Sequence, residues 1–528
     1  MRVPFSPSFL AGEPRATGLL PDGFRSRAAW RQEASARGGR RVAPELLASL
    51  RKHNRTLPPS ARRDQHLDAL GQPGTVCVVT GQQICLFGGP LYTFYKAATA
   101  IVWARAVEAE TGAKCVPIFW LQTEDHDYAE IASCSVPAPG RQPLKLSLPP
   151  VERRCSVEHL HLPPEIAGLV EQLEEAIGSL PYANEIVPLL REAYRPGRSL
   201  AEGFSHLLAG VFAEEGLVVL DPRCEELSRL SLPINRAALE RADAVDAALL
   251  RRGEELEAAG LAEQVHVRRG SPLVFFHPEG VEGPRYRLQR DGGGLRLDGG
   301  GPIELRAVLD AAERDPRHLS TSALLRPIVQ DLLLPTVAYV GGPAELGYLA
   351  QVAALYPLFD VRPSLPVPRA RFRLVDGRSR VRLDELGLTP ADVEVPREEL
   401  LQRLGSARAG APPADELARQ LIGSALTRID ALAAQRPGLD KAARRTKISL
   451  ERAASRFAAH HARALAADDQ TLAERVDLLQ SILYPECTPQ ERVHSLPWFA
   501  ARIGLQTLKA AVLAAVEPGA AVAKDLTP

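Results

Sequence analysis

Glu124-Asp125-His126-Asp127 sets three carboxylates and an imidazole on consecutive residues. Carboxylate oxygens of Glu124, Asp125 and Asp127 can hold Mg²⁺, and His126 or Asp125 can accept a proton. The same residues equally suit a hydrated loop in which Asp127 caps a helix. A second chemical shape occurs twice: residues 75–80 lead through Gly81-Gln82-Gln83 to Gly88-Gly89-Pro90, and residues 334–340 lead into Gly341-Gly342-Pro343. Proline suits the first position of a helix, glycine permits close backbone approach, and amides at a helix start attract anions. Each Gly-Gly-Pro is therefore a candidate phosphate cradle and, on the other reading, ordinary turn chemistry. Neither matches G-x-G-x-x-G or a Walker A sequence.

Further candidates flank these turns. Tyr92, Thr93 and Lys96 fall in the first two turns of the helix after Pro90, and Lys96 is one of eight lysines in a chain whose other basic residues are arginine. A compact ammonium there can face a bound anion, or it can be a solvated surface lysine. Arg326 precedes the second turn and offers a fork for carboxylate or phosphate, while Glu345 and Tyr348 follow it. Glu345 can bind an ammonium group, and both charges also suit a structural ion pair.

The elements that must position these residues are legible from periodicity. Residues 75–80 and 115–121 are short, continuous apolar runs, as expected of strands buried on both faces, and a helix over 90–111 separates them. That is a βαβ unit with a right-handed crossover. Helix 204–215 leading into strand 216–220, and strand 334–340 leading into helix 343–356, extend the pattern to an α/β fold with a doubly wound parallel sheet. Two insertions interrupt it: a helical one at about 150–200, and a glycine-rich one at about 262–310 whose alternation predicts β-hairpins. The expected division is an N-terminal segment 1–70, a core 71–380 and an α-helical domain 381–528. Within the last, Leu417, Leu421, Ala425, Ile429 and Leu432, then Leu450, Ala454, Phe457, His461 and Ala464, predict a coiled-coil hairpin over 414–466.

Composition removes other classes. The chain has 528 residues, 45% hydrophobic and 24% charged, with Lys+Arg 64 balancing Asp+Glu 64. Zero net charge and no basic stripe argue against a nucleic-acid partner. No stretch approaches about 18 apolar residues, so no membrane span is expected, and the N-terminus lacks a signal-peptide pattern, which places the protein in the cytoplasm. Seven scattered cysteines without a C-x-x-C pair read as buried free thiols, and Cys155, His159 and His161 lack structural-zinc spacing.

Thr80-Gly81-Gln82-Gln83, Gly89-Pro90-Leu91-Tyr92-Thr93, Lys96-Ala97, Phe119-Trp120 and Glu124-Asp125-His126-Asp127 together resemble the bacillithiol-biosynthesis cysteine ligase family known as BshC. Residues 216–222, Arg326-Pro327, Gly342-Pro343 with Glu345 and Tyr348, and Gln490-Glu491-Arg492 continue the resemblance in the family's order, from about residue 75 to 504.

The resemblance implies a Rossmann-like core related to the nucleotidyl-transferring domain of class I aminoacyl-tRNA synthetases. It further implies a coiled-coil domain supporting a homodimer, and addition of cysteine to glucosaminyl-malate through an amide between the cysteine carboxyl group and the sugar amine. Carboxylate and amine do not condense usefully in water, so activation by ATP with Mg²⁺ is expected, and zinc is not. On this chain the expected nucleotide contacts are Gly81, Gln82, Gln83, Gly89, Tyr92, Thr93, Gly341 and Gly342. The expected catalytic residues are Lys96, Asp125 and His126, and the substrate contacts are Glu124, Asp127, Arg326, Glu345 and Tyr348, with Arg326 suiting the malate carboxylates. Two other readings share the motifs: another ATP-dependent amide-forming or nucleotidyl-transfer enzyme, and a non-catalytic nucleotide-binding scaffold.

Overall fold

A computed structural model describes residues 2–124, 127–151, 157, 160–292, 294–436, 438–467, 470–521 and 523–528. Asp125 and His126 lie outside the described residues, as do Cys155 and His159.

Along the chain, β1 (Val76–Gln82), α1 (Leu91–Thr111), β2 (Cys115–Leu121), α2 (Leu200–Val211) and β3 (Val218–Leu220) begin the core. Every residue of β1 and β2 is buried, as their unbroken apolar runs require of strands covered on both faces. The glycine-rich insertion forms β4 (Val274–Phe276), β5 (Tyr286–Asp291), β6 (Gly294–Leu297) and β7 (Pro302–Ile303), and β8 (Leu319–Thr321), beyond its expected end, completes the same sheet. Its strands pair antiparallel in the order β7-β6-β5-β4-β8, the predicted hairpins among them. The core resumes with α3 (Arg326–Leu333), β9 (Thr336–Gly341), α4 (Pro343–Val352) and β10 (Leu365–Pro368).

The central sheet runs β10-β9-β1-β2-β3, all parallel. Strand order reverses between β1 and β9, so their carboxyl ends form the switch point at which doubly wound sheets open a crevice. Both Gly-Gly-Pro turns follow these two strands, as the sequence predicts.

The chain divides into two compact units: Met1–Ser135, Lys145–Phe372 and His494–Leu526 form one, and Val136–Leu144, Arg373–Val493 and Thr527–Pro528 the other. This differs from the expected boundaries at both ends. Residues before 70 are not a separate segment: Phe5, Phe9, Phe24 and Trp30 join the core of the first unit, with the Trp30 ring centre 4.6 Å from that of Trp103 of α1 and the two rings tilted by 54°. The tail joins the same unit, where buried Lys509 pairs with Glu214 at 2.9 Å and Glu215 at 3.2 Å. Long-range burial of this kind leaves no periodic mark on the sequence.

In the second unit, α5 (Arg397–Arg408), α6 (Ala414–Gln435) and α7 (Asp440–Ala467) pack together, α6 and α7 as the expected antiparallel hairpin. Its seam keeps only part of the expected stripe, with Ala454 buried in it and Leu417 packed against it. Ala418, Ala454 and Ala458 are buried between the helices, whereas Leu421, Leu432 and Phe457 are 49%, 53% and 59% exposed and His461 is half-buried. Small residues let the helices approach closely and turn the larger apolar side chains outward.

Cys77, Cys85, Cys115 and Cys134 are buried free thiols, Cys224 is half-buried and Cys487 is exposed. Burial pushes the Cys77, Cys85 and Cys134 thiols up to about 12, so thiolate is scarce at neutral pH. Iodoacetamide at pH 8 is expected to alkylate Cys487 and leave these three intact in the folded chain. Peptide mass mapping checks this, and rapid labelling of Cys77 would show that the sheet opens.

Candidate active site

At the switch point, Lys96 reaches inward from the second turn of α1 and is 2% exposed. Its ammonium donates to Gly81 O at 2.7 Å and Gln82 Oε1 at 2.7 Å, both at the end of β1, and pairs with Glu345 of α4. An ammonium has three donors, and these acceptors take all of them. The Glu345 carboxylate also accepts the Gly342 amide at 2.7 Å and the Tyr339 hydroxyl at 2.5 Å. Burial raises its pKa, but Lys96, Tyr339 and Gly342 outweigh burial and hold the carboxyl below its ordinary range. For Lys96, burial outweighs the attraction of Glu345 and lowers the pKa.

Arg326 continues the network. Its guanidinium lies 4.8 Å from the centre of the Tyr339 ring and donates to Gln330 Oε1 at 2.9 Å and to Tyr348 OH at 3.5 Å. Burial works against its charge, but the two tyrosines and Glu345 outweigh it and raise the pKa. Arg326 Nε is buried without an acceptor among the described residues.

The two helix starts differ from open phosphate cradles. Glu345 occupies the amide of Gly342, and the first amide of α1, from Leu91, donates to His494 O at 2.8 Å. Gly88 N donates to Tyr194 OH at 3.0 Å, and Ile84, Cys85, Leu86 and Phe87 are buried, so this apolar loop packs rather than standing open. Gly89 has φ +68° and ψ −166°, a region essentially confined to glycine, and a Cβ there would lie 2.7 Å from Cys85 Cβ. Gly89→Ala is expected to destabilise the first unit by about 1–3 kcal/mol from backbone strain alone. A urea midpoint unchanged from wild type would show that the loop has another conformation.

Beside this network a cavity of 270 Å³ opens at the carboxyl end of β2. Trp120, Gln122 and Glu124 alternate along that strand and its continuation and line one side, and Arg268, Phe275, Arg285, Arg287 and Arg326 contribute others. Among the described residues, four guanidinium groups and one carboxylate thus line the cavity, and one of the four, Arg268, pairs with Asp298 at 3.5 Å. That carboxylate is engaged as well: Glu124 accepts Thr321 Oγ1 at 2.8 Å and Thr321 N at 3.3 Å. The indole N–H of Trp120, in a side chain 1% exposed, has no acceptor among the described residues. An anionic ligand rich in acceptor oxygens answers both the charge and the unmatched donors.

Of the residues predicted for the site, the structure joins Gly81, Gln82, Lys96, Gly342, Glu345, Tyr348 and Arg326 in one buried polar network, and it sets Glu124 in the adjoining cavity with Arg326. Gly341 ends β9 beside them. Gln83 links Gln82 at 3.0 Å to Glu130 at 2.6 Å. Asp127 stands apart: it is exposed and caps the short helix Tyr128–Ile131, accepting Glu130 N at 3.3 Å. Tyr92 lies under the Arg369 guanidinium at 5.7 Å, and Thr93 is buried. Among the described residues no group of three or more His, Cys, Asp or Glu side chains is placed to hold a metal ion. None of their helices is long and apolar enough to cross a membrane.

Sequence reasoning missed Arg268, Arg285, Arg287, Tyr339 and the role of Trp120. The available signal was Arg285-Tyr286-Arg287 inside an alternating strand pattern, which sets two cations on one face.

Comparisons with known proteins agree with the fold and the motifs. The family model described as "Bacillithiol biosynthesis BshC, N-terminal Rossmann-like domain" matches residues 4–370. A protein of Koribacter versatilis named "Putative cysteine ligase BshC" is 34% identical over 447 residues, covering 84% of this chain and 82% of its own length. Proteins of the same name from Solibacter usitatus and Geobacillus kaustophilus are 34% and 29% identical, over 87% and 91% of this chain and 85% and 90% of their own lengths. The parallel sheet with its switch point, the polar network built on the family's motifs and this breadth of similarity agree: the chain belongs to the bacillithiol-biosynthesis BshC family, with a Rossmann-like core.

Proposed function

We propose that the protein is a cysteine ligase that joins the carboxyl group of cysteine to the amine of glucosaminyl-malate, driven by ATP. The observation that carries this reading is the cavity beside β2, where four guanidinium groups and the unmatched N–H donors of Arg326 and Trp120 suit a small substrate bearing carboxylates. In the reaction, a cysteine carboxylate oxygen attacks a phosphorus of ATP, expelling either diphosphate or ADP. The amine then attacks the activated carbonyl, forming the C–N bond and expelling AMP or phosphate while losing a proton.

The nucleotide is assigned to the carboxyl ends of β1 and β9 on strand order. Lys96, with its donors engaged, acts there by holding the end of β1 to the start of α4. Mg²⁺ enters with the nucleotide, since this ion is commonly held by one or two carboxylates together with substrate phosphates. Dependence on ATP puts the reaction in the cytoplasm. The test is incubation of the full chain with ATP, Mg²⁺, cysteine and glucosaminyl-malate, followed by mass detection of the thiol product and the released nucleotide. ATP-dependent product carrying one cysteine residue is the expected result, and its absence overturns the reading.

The exposed Leu421, Leu432, Ile448 and Phe457 on α6 and α7 favour a second proposal, a homodimer through the helical hairpin. Light scattering is expected to give twice the 57.2 kDa chain mass. Leu432→Glu with Phe457→Glu should give the monomer.

A further inference from the structure

One residue grips the Glu124 carboxylate in the cavity beside β2. Thr321, the last residue of β8, donates its hydroxyl to Oε2 at 2.8 Å and its backbone N–H to Oε1 at 3.3 Å. With one donor on each oxygen, Thr321 sets the plane of the carboxylate. Thr321 is itself fixed, being buried and paired in antiparallel register with Val274 of β4. The chain leading to Glu124 is pinned as well. Gln122 N donates to Gln82 O at the end of β1, at 3.0 Å, and the Thr123 hydroxyl donates to Asp221 Oδ1 just past β3, at 2.6 Å.

An ionised carboxylate offers about four lone-pair sites, and Thr321 fills two of them. Among the described residues Glu124 has no other hydrogen-bond or ion-pair partner, and its side chain lines the cavity, so the remaining sites are open to a ligand there. Glu345, the other carboxylate the sequence offers for an ammonium group, is closed, because Lys96, Tyr339 and Gly342 already meet its oxygens. The buried N–H donors of Trp120 and Arg326, which lack acceptors among the described residues, belong to side chains lining the same cavity as Glu124. Unmatched donors together with an open acceptor fit a molecule that bears both a carboxylate and an amine, with the amine at Glu124, since a carboxylate placed there would be repelled. Resting on the ligase reading above, we propose that Glu124 is the amine subsite of the cavity, accepting an N–H of a substrate's primary amine, and that Thr321 is the positioning residue that orients it. Two substrates of that reaction carry an amine together with a carboxylate, the acceptor with its sugar amine and cysteine with its α-amine.

The test uses the full chain and compares each amine with the analogue in which a hydroxyl replaces it: glucosaminyl-malate with glucosyl-malate, and cysteine with 3-mercaptolactate. Calorimetry is run at neutral pH with and without a non-hydrolysable ATP analogue and Mg²⁺. Wild type is expected to prefer the amine at least about tenfold in one pair, as a hydrogen bond to a charged group provides, and that pair names the source. Glu124→Gln should reduce the preference to within about twofold of parity, and Thr321→Val should cut it at least about threefold, whereas Thr321→Ser keeps the hydroxyl and the preference. A merely structural role would weaken amine and analogue alike and leave their ratio unchanged. Should Glu124→Gln not fold, Thr321→Val against Thr321→Ser decides. A wild type that prefers neither amine, or a preference that survives Glu124→Gln, overturns the proposal. A preference that Glu124→Gln removes and Thr321→Val leaves whole overturns the role of Thr321. If the preference follows Glu124 and wild type forms no product from ATP, cysteine and glucosaminyl-malate, the ligase reading fails and the amine subsite stands. Product formed by a wild type without amine preference keeps the ligase reading and removes the subsite.

Discussion

Glu345→Gln is expected to destabilise the Rossmann-like unit by about 3–5 kcal/mol, because it leaves a buried ammonium without its counter-charge. Lys96 would keep Gly81 O and Gln82 Oε1 but lose its anion, and the Gly342 amide and Tyr339 hydroxyl would share a weaker acceptor. The measurement is urea unfolding of the single variants Glu345→Gln and Lys96→Met and of the double variant. The double variant should be more stable than the sum of the singles implies, since it removes both buried charges together. A single-variant loss below about 1 kcal/mol would place the pair in the range of solvated surface ion pairs and remove its structural role.

The same carboxylate sets a pH dependence. Its folded pKa lies below the ordinary 4.5, so its contribution is fully present above about pH 4.5 and declines as pH falls through the folded value. Glu345→Gln should abolish that part of the acid limb, flattening stability against pH below about 4.5 relative to wild type.

Arg326→Lys is expected to lower kcat/KM for the acceptor by about 30- to 1000-fold, the loss that follows when a buried, hydrogen-bonded charge loses its fit, about 2–4 kcal/mol. Lysine keeps the charge but lacks the planar fork that spans Gln330 Oε1, the Tyr348 hydroxyl and the open Nε direction while stacking on Tyr339. Steady-state kinetics with varied acceptor and saturating ATP and cysteine measures the effect, with the unfolding midpoint as control. A folded Arg326→Lys enzyme with wild-type kcat/KM would show that Arg326 belongs to the scaffold and that substrate lies elsewhere.

These two positions also show why part of the site could be read in the sequence and part could not. The apolar runs at β1, β2 and β9 and the helix-starting prolines at 90 and 343 are local facts, and the elements formed close to where those facts put them. Lys96 and Glu345 were each recognisable as charges near a helix start. Their pairing was not, because it depends on β9 lying beside β1 although some 255 residues separate Thr80 from Thr336. The seam of α6 and α7 was legible only in part, at Ala454 and Leu417, for a related reason: an apolar stripe marks a helix face as buried or sticky, but helix approach decides which of its residues are enclosed.

The sequence by itself determined the strand-helix-strand rhythm, the glycine-proline turns at the sheet edge, the hairpin character of the insertion and the family resemblance, because each lies in short-range spacing and residue chemistry. Only the tertiary structure decided that the amides of Leu91 and Gly342 are occupied by His494 and Glu345, and that Arg268, Arg285, Arg287 and Arg326 gather around one cavity beside β2. Coulomb and hydrogen-bond partners are chosen by distance in space, and a doubly wound sheet with an inserted second sheet brings together groups that chain order keeps far apart.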